Sequence, residues 1–334
     1  MIQEHEIVLY QVEDTNICVN VVFKDETFWM TQKAMAELFD VNVPAISKHL
    51  SNIFEEGELF KEATVSKMEI VQMEGNRKVK REPEFYNLDA IIAVGYRVNS
   101  KKATRFRQWA TKTLKDYITK GFVLNDDMLK NGKPFGKDYF DELLERIREI
   151  RASERRAYQK ITDLYEQCSY DYDKNSDITK AFYAFVQNKL HFAVTGKTAA
   201  ELVYERVNAE KPAMGLTTWK DAPDGKILKR DISVAKNYLN EKELSRLNRL
   251  VTMFIDYAEL MAEDEVLMSM QDWVEQTNQF LRNNRREVLE GKGKVSHDMA
   301  MKKAEKEYEI FRVKQDLEYV SEFDREVERY LKGE

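Results

Sequence analysis

Three side chains in the C-terminal half are of the types that acid–base or metal-assisted chemistry requires. His191 and Glu201 both lie in the stretch NKLHFAVTGKTAAELVYER, and Asp231 begins the later stretch DISVAK. An imidazole can act as a general acid or base near neutral pH, and a carboxylate can orient it or bind a cation. Together the three predict a metal-dependent nuclease that uses Mg²⁺ or Mn²⁺. The metal ligands themselves remain unknown, and no other cofactor is indicated.

The same stretch also has a structural interpretation, which we favour. Thr198 and Glu201 have the spacing of a capping box, in which each side chain binds a backbone N–H of the other residue. Gly196-Lys197-Thr198 resembles the end of a phosphate-binding loop, but that motif needs glycine where His191 stands. Nuclease cores with a lysine just after a carboxylate are built on strands, whereas residues 231–239 have a helical pattern. We therefore expect a capped helix junction with a hydrogen-bonded histidine.

A second candidate site lies in MTQKAMAELFDVNVPAISKHL, residues 30–50. Two helical patterns flank a short break, as in a helix-turn-helix, and Asp40 can adopt the left-handed conformation of the turn. Asn42 can cap the second helix. On its outward side Ser47, Lys48 and His49 can donate hydrogen bonds to base edges or phosphates. The alternative is a pair of packed helices that binds nothing.

Basic residues are concentrated in RVNSKKATRFRQWATKTLKDYITK, residues 97–120. Such an excess of positive charge is suited to contact with phosphates. A solvated helix face is nevertheless the more common explanation of a run of charged residues. The apolar residues Phe106, Trp109, Leu114, Tyr117 and Ile118 are expected on the packed side. A hairpin tip at Arg77 and Lys78 would add a further contact. The predicted phosphate-binding side chains are Lys101, Lys102, Arg105, Arg107 and Lys112.

The elements that must position these residues divide the chain in two. Strand patterns over 6–30 and a hairpin over 63–86 surround the helix-turn-helix, and helices follow at 87–97 and 100–121. This predicts an α+β winged-helix-like DNA-binding domain at 1–125, a linker at 126–138, and a larger all-α domain at 139–334. Helices of the second domain are predicted at 138–168, 177–194, 198–208, 231–239, 241–264, 271–290 and 296–331.

The last predicted helix has an apolar stripe that can pair with a second copy of the chain. Packing on its own domain is the alternative. We expect a homo-oligomer that assembles through the C-terminal helices. The stripe consists of Ile310, Val313, Leu317, Val320, Val327 and Leu331.

Composition limits the remaining possibilities. The chain has 334 residues and a formal net charge of -6, so any DNA-binding face must be a local patch rather than a global field. Its 2 cysteines exclude a disulfide framework or a cysteine-based metal site. The N-terminal stretch has no apolar core of the signal-peptide kind, and no apolar run approaches the length of a membrane span. We therefore expect a cytoplasmic protein without a membrane partner.

Several long stretches are specific enough to compare with known families. They include FWMTQKAMAELFDVNVPAISKHLSNIFEEGEL and FYNLDAIIAVGYRVNS in the first half, and FVQNKLHFAVTGKTAAELVYERVNAEKPAMGLTTWK and DISVAKNYLNEKELSRLNRLVTMFIDYAE in the second. Together they resemble the RhuM virulence-protein family over nearly the whole chain. The N-terminal part is similar to the DNA-binding domains of phage antirepressors of the Bro-N and KilA-N kind.

The resemblance implies a bacterial protein of genomic islands, prophages or loci near restriction–modification genes, with DNA as its partner. We expect a sequence- or structure-dependent DNA-binding protein that acts as a regulator or in an antirepressor-like way. One alternative is a nuclease or toxin-like effector in phage defence, delivered to DNA by the N-terminal domain. Another is an interaction module that binds a repressor or a defence-system protein.

Overall fold

The computed structural model describes residues 5–12, 15–24, 27–74, 77–131, 139–173 and 175–319. The chain divides into two compact units, Met1–Asp138 and Tyr139–Glu334. Each unit has hydrophobic clusters of its own. The fold is α+β, with a small sheet region in the first unit and a larger helical part.

The described strands of the first unit form small antiparallel sheets. They are β1 His5–Val12, β2 Thr15–Lys24, β3 Thr27–Trp29, β4 Val65–Lys67, β5 Ile70–Glu74, β6 Arg77–Arg81 and β7 Glu84–Tyr86. The first three strands pair in chain order, β5 pairs with β6, and β4 pairs with β7. A backbone bridge joins the end of β3 to the end of β7. Met30 N–H donates to the Tyr86 carbonyl at 2.9 Å, and Tyr86 N–H donates to the Met30 carbonyl at 2.8 Å.

The helices of the first unit pack around one apolar cluster. They are α1 Gln32–Phe39, α2 Val43–Glu55, α3 Lys61–Thr64, α4 Leu88–Arg97, α5 Lys101–Lys120 and α6 Asp126–Asn131. Gly95 allows a close approach of α4, since a Cβ there would lie 2.7 Å from the Phe106 ring and 2.9 Å from the Phe39 ring. The short helix α6 lies in the segment that the sequence predicts as a linker.

The packed side of α5 is shorter than the sequence predicts. Phe106 is buried and Trp109 is half-buried against the cluster. Leu114, Tyr117 and Ile118 are instead exposed, by 56%, 61% and 75%. Only the first half of α5 therefore packs in its unit among the described residues, and the expectation for these three side chains was wrong.

The second unit is helical in its described part. Its α-helices are α7 Phe140–Arg151, α8 Glu154–Cys168, α9 Asp177–Thr195, α10 Ala199–Arg206, α11 Glu241–Glu263, α12 Met270–Asn283 and α13 His297–Glu318. One cluster surrounds the fully buried Trp273 and Phe254. A second joins α10 to α13 around Val203, Met214 and Ala304.

Two predicted helices of this unit differ in the structure. The helix predicted at 138–168 is broken between α7 and α8, where Ser153 Oγ donates to the Ile150 carbonyl at 2.8 Å and competes with the helical pattern. The helix predicted at 231–239 is a set of turns with a short 3-10 helix, Ala235–Tyr238. The Asp231 carboxylate accepts the Leu228 N–H at 2.8 Å, which stabilises a turn there instead.

The helix predicted at 271–290 is shorter than expected, and the one predicted at 296–331 lies partly outside the described residues. The one predicted at 271–290 ends at Asn283, and α13 is described as far as Glu318. Ile310, Val313 and Leu317 of the predicted stripe are exposed. Its other members, Val320, Val327 and Leu331, lie outside the described residues. No helix in the described part of the chain has the length and apolar character needed to cross a bilayer.

Candidate nucleic-acid interface

The turn between α1 and α2 has a defined backbone geometry. Asp40 follows α1 in the left-handed conformation, with φ 56° and ψ 53°, and its N–H donates to the Ala36 carbonyl. Val41 N–H reaches the same carbonyl at 3.0 Å. Asn42 then caps α2, since its side chain accepts the Ala45 N–H at 2.9 Å. The conformations predicted for Asp40 and Asn42 are therefore confirmed.

The two sides of α2 differ in character. Ile46, Leu50 and Ile53 are buried and fix the helix against its unit. Ser47, Lys48 and Ser51 are exposed on the other side, and His49 is half-buried. Ser51 is a polar residue that the sequence argument missed, although its spacing of four from Ser47 places it on the same face. Hydroxyl and ammonium groups on this face can donate hydrogen bonds to an anion.

The start of α5 lies beside the end of α1. Ser100 Oγ donates to the Phe39 carbonyl at 2.5 Å, and Lys102 Nζ donates to the Glu37 carbonyl at 3.3 Å. Lys101 and Arg105, one turn apart, are exposed, and neither forms an ion pair in the described part of the chain. These contacts place two cations next to the turn that precedes α2.

The Arg107 side chain forms hydrogen bonds within its own unit. Its guanidinium donates to the carbonyls of Gly95 and Val98, both at 2.9 Å, and to Thr104 Oγ1 at 3.1 Å. It therefore satisfies carbonyls at the C-terminal end of α4, where the helix leaves them without partners. The prediction that Arg107 is available for a phosphate does not agree with these contacts. Lys102 likewise forms a hydrogen bond within the unit, to a carbonyl of α1.

The other predicted cations have varied surroundings. Lys112 is exposed farther along α5. The side chains of Arg77 and Lys78 lie outside the described residues, so the hairpin contact stays a prediction. Arg97, at the start of the basic run, forms ion pairs with Glu56 at 2.7 Å and with Glu58. The hydrogen bond from Arg97 lowers the pKa of the Glu56 carboxyl.

The candidate catalytic histidine is enclosed by the second unit. His191 is 3% exposed and lines a cavity of about 50 Å³ with Lys236, and most of the other lining residues are apolar. Its Nδ1 has no hydrogen-bond partner among the described residues, so the expected hydrogen-bonded histidine is not found at that atom. Burial, with a further effect of the Lys236 charge, lowers the pKa of His191 to about 4.

The two candidate carboxylates bind backbone groups. Glu201 accepts the Thr198 N–H at 2.8 Å and the Lys294 N–H at 2.6 Å, one on each oxygen. The predicted capping box is present. Asp231 is 4% exposed and accepts the Leu228 N–H. Within the described ranges no group of three or more His, Cys, Asp or Glu side chains is arranged to hold a metal ion.

Comparison with models of known protein families identifies the family of this chain. No curated protein matches this sequence. The model of the virulence protein RhuM family matches residues 63–319, which is more than half of the 334 residues. The match includes α4, α5 and the described helices of the second unit, and it begins after α2. The chain therefore belongs to the RhuM virulence-protein family.

Proposed function

We propose that this protein is a cytoplasmic DNA-binding regulator of bacterial genomic islands or prophages, acting in an antirepressor-like way. In this proposal α1, the turn at Asp40 and α2 form a helix-turn-helix, and the flanking hairpins make the arrangement winged. The observation that carries the proposal is the exposed face of α2, which presents Ser47, Lys48 and Ser51 with no carboxylate between them. Such a face suits the electronegative floor and walls of a DNA groove.

The cations near the turn supply the phosphate contacts of this proposal. Lys101 and Arg105 lie on α5, whose first turn contacts the end of α1. A helix that enters a groove brings the elements beside it close to the sugar–phosphate backbone, where cations displace condensed counterions. Since the chain carries a net charge of -6, binding depends on this local patch. Lys112 and the hairpin residues Arg77 and Lys78 would extend it.

A second copy of the chain is part of the proposal. Proteins with a helix-turn-helix commonly bind as dimers, so that two recognition helices reach successive turns of one groove. The exposed residues Ile310, Val313 and Leu317 of α13 offer an apolar face for such pairing. A repressor or defence-system protein is the further partner that an antirepressor-like role implies.

The test is a mobility-shift assay on a pool of duplex DNA fragments at several salt concentrations. We expect the Lys48→Ala/Arg105→Ala variant to bind at least about tenfold more weakly than the unmodified protein, since each residue makes a groove or phosphate contact. The Lys211→Ala/Lys220→Ala variant is the matched control, because it removes two exposed cations that lie on none of α2, α5 and α13 and should bind normally. Equal binding by both variants would overturn the role of α2.

A further inference from the structure

A cationic cleft lies in the second unit, away from the side chains considered so far. It has a volume of about 630 Å³ and is formed by α11 and the segment that follows α12. Leu250 is buried, and Met253 is 41% exposed beside it. Its cations are Lys242, Arg246, Arg249 and Arg286.

Helical spacing places three of these cations in a row. Lys242, Arg246 and Arg249 are separated by four and three residues, which puts them on one face of α11. At 1.5 Å per residue the row is about 10 Å long. It therefore offers a line of positive charge rather than a single point.

The fourth cation is held by the end of α12. Arg285 has a left-handed backbone, with φ 55°, and Arg286 N–H donates to the Leu281 carbonyl at 2.9 Å. Asn284 Nδ2 also donates to the Phe280 carbonyl at 2.8 Å. This helix-ending turn directs the chain so that Arg286 lines the cleft opposite α11.

The positive charge of the cleft is only partly neutralised. Arg249 forms an ion pair with Glu145 of α7 at 2.9 Å, and this hydrogen bond lowers the pKa of the Glu145 carboxyl. Glu241 is the one acidic residue among those that line the cleft. Within the described part of the chain, Lys242, Arg246 and Arg286 have no ion pair. Three arginine or lysine side chains thus remain available to an anion.

We propose that this cleft binds the phosphate backbone of a nucleic-acid strand, independently of its sequence. Arginine recognises phosphate through paired N–H donors, and a row of cations fits successive phosphates better than one small anion. None of the lining residues is aromatic, so the cleft offers no platform on which bases would stack. The inference goes beyond the proposed role of α2, because it assigns a nucleic-acid contact to the second unit.

The experiment compares full-length variants by fluorescence anisotropy on single-stranded and duplex DNA of several sequences, over a salt series. The cleft variant is Arg246→Ala/Arg286→Ala, and Lys211→Ala/Lys220→Ala is its charge-matched control. We expect the cleft variant to bind every sequence more weakly and to lower the slope of log K against log salt by about 2, since two phosphate contacts are lost. The control should leave that slope unchanged.

The Lys48→Ala/Arg105→Ala variant separates this inference from the proposed function. If α2 has no role but the cleft does, only the cleft variant weakens binding. If the cleft variant binds with the affinity and salt slope of the unmodified protein, the inference is overturned whatever α2 does. The last arm of the experiment adds pyrophosphate. If pyrophosphate stabilises the protein only when Arg246 is present, and Arg246 has no effect on DNA binding, the cleft is a small-anion site. That result would also overturn the inference.

Discussion

His191 is a buried histidine whose imidazole meets little water, and this makes stability depend on pH. Its pKa is about 4 in the folded chain, against an ordinary value of 6.5. Between these values the unfolded chain binds the proton and the folded chain does not, so stability falls as pH falls from 6.5 to 4. Above pH 6.5 the imidazole is neutral in both the folded and the unfolded chain, so it does not make stability depend on pH.

We therefore predict that His191 costs the protein roughly 2 kcal/mol of stability between pH 7.5 and pH 5. The His191→Phe variant keeps a ring in the cavity and removes the titrating group, so its free energy of unfolding should lose that part of the pH dependence. Urea unfolding of both proteins at the two pH values measures the difference. The carboxyls of Glu201 and Glu243, whose pKa values are lowered, lose their contributions only below about pH 4.5. Identical pH dependence in the variant would contradict the prediction.

Arg105 and Arg107 are two residues apart on α5 but should have different roles, one in DNA binding and the other in stability. Arg107 donates to two carbonyls of the α4 terminus, so Arg107→Ala should lower the free energy of unfolding by about 1–3 kcal/mol. Arg105 is exposed, and Arg105→Ala should change stability by less than about 0.5 kcal/mol while weakening DNA binding. Urea unfolding and a mobility-shift assay on both variants measure the contrast. Equal losses of stability would show that the contacts of Arg107 contribute nothing.

At the scale of elements, the turn between α1 and α2 depends on the backbone of Asp40. Glycine adopts the left-handed conformation freely, and aspartate tolerates it better than alanine because a short polar side chain can bind the local backbone. We predict that Asp40→Gly keeps or slightly raises stability, whereas Asp40→Ala lowers the free energy of unfolding by about 1 kcal/mol. Thermal unfolding of the two variants distinguishes them. An alanine variant as stable as the glycine variant would mean that the turn relaxes to another geometry.

Local signals in the sequence were sufficient for many helix ends. Asn42 and Thr198 are predicted to cap helices, and each accepts a backbone N–H three residues later, as Asn87 and Asn240 do at the starts of α4 and α11. Such a cap depends on residues close in the chain, so the sequence contains it. The break at Ser153 and the turns around Asp231 depend instead on which competing hydrogen bond forms once the unit has packed. Apolar spacing alone does not reveal that competition.

The candidate interface was only partly predictable for the same reason. The exposed face of α2 follows from helical spacing, because Ile46, Leu50 and Ile53 must turn inward. The engagement of Arg107 with α4 depends on how two helices cross, which the composition of the basic run does not specify. The cationic cleft joins α11 to a segment more than thirty residues later, so it has no local signature.

At the scale of the whole molecule, the hydrophobic clusters of the two units share no residue. The clusters of the first unit end at Phe106, and those of the second begin at Ala152. We predict that a fragment of residues 139–334 folds by itself, because it retains all of its clusters. Far-UV circular dichroism and thermal unfolding should show a helical fragment with a cooperative transition that matches one transition of the full chain. A fragment without cooperative unfolding would show that the second unit needs the first.

The bridge between Met30 and Tyr86 has a consequence for the order in which the strands of the first unit pair during synthesis. Residues 31–85 lie between its two ends and contain α1, α2, α3 and the strands β4 to β6. During synthesis the chain emerges from its N-terminus, so β1 to β3 are complete long before Tyr86 leaves the ribosome. Until then the backbone groups of Met30 have no strand partner, and an unpaired strand end is prone to join a neighbouring chain. The early helices α1 and α2 are the elements available to shield it during that interval.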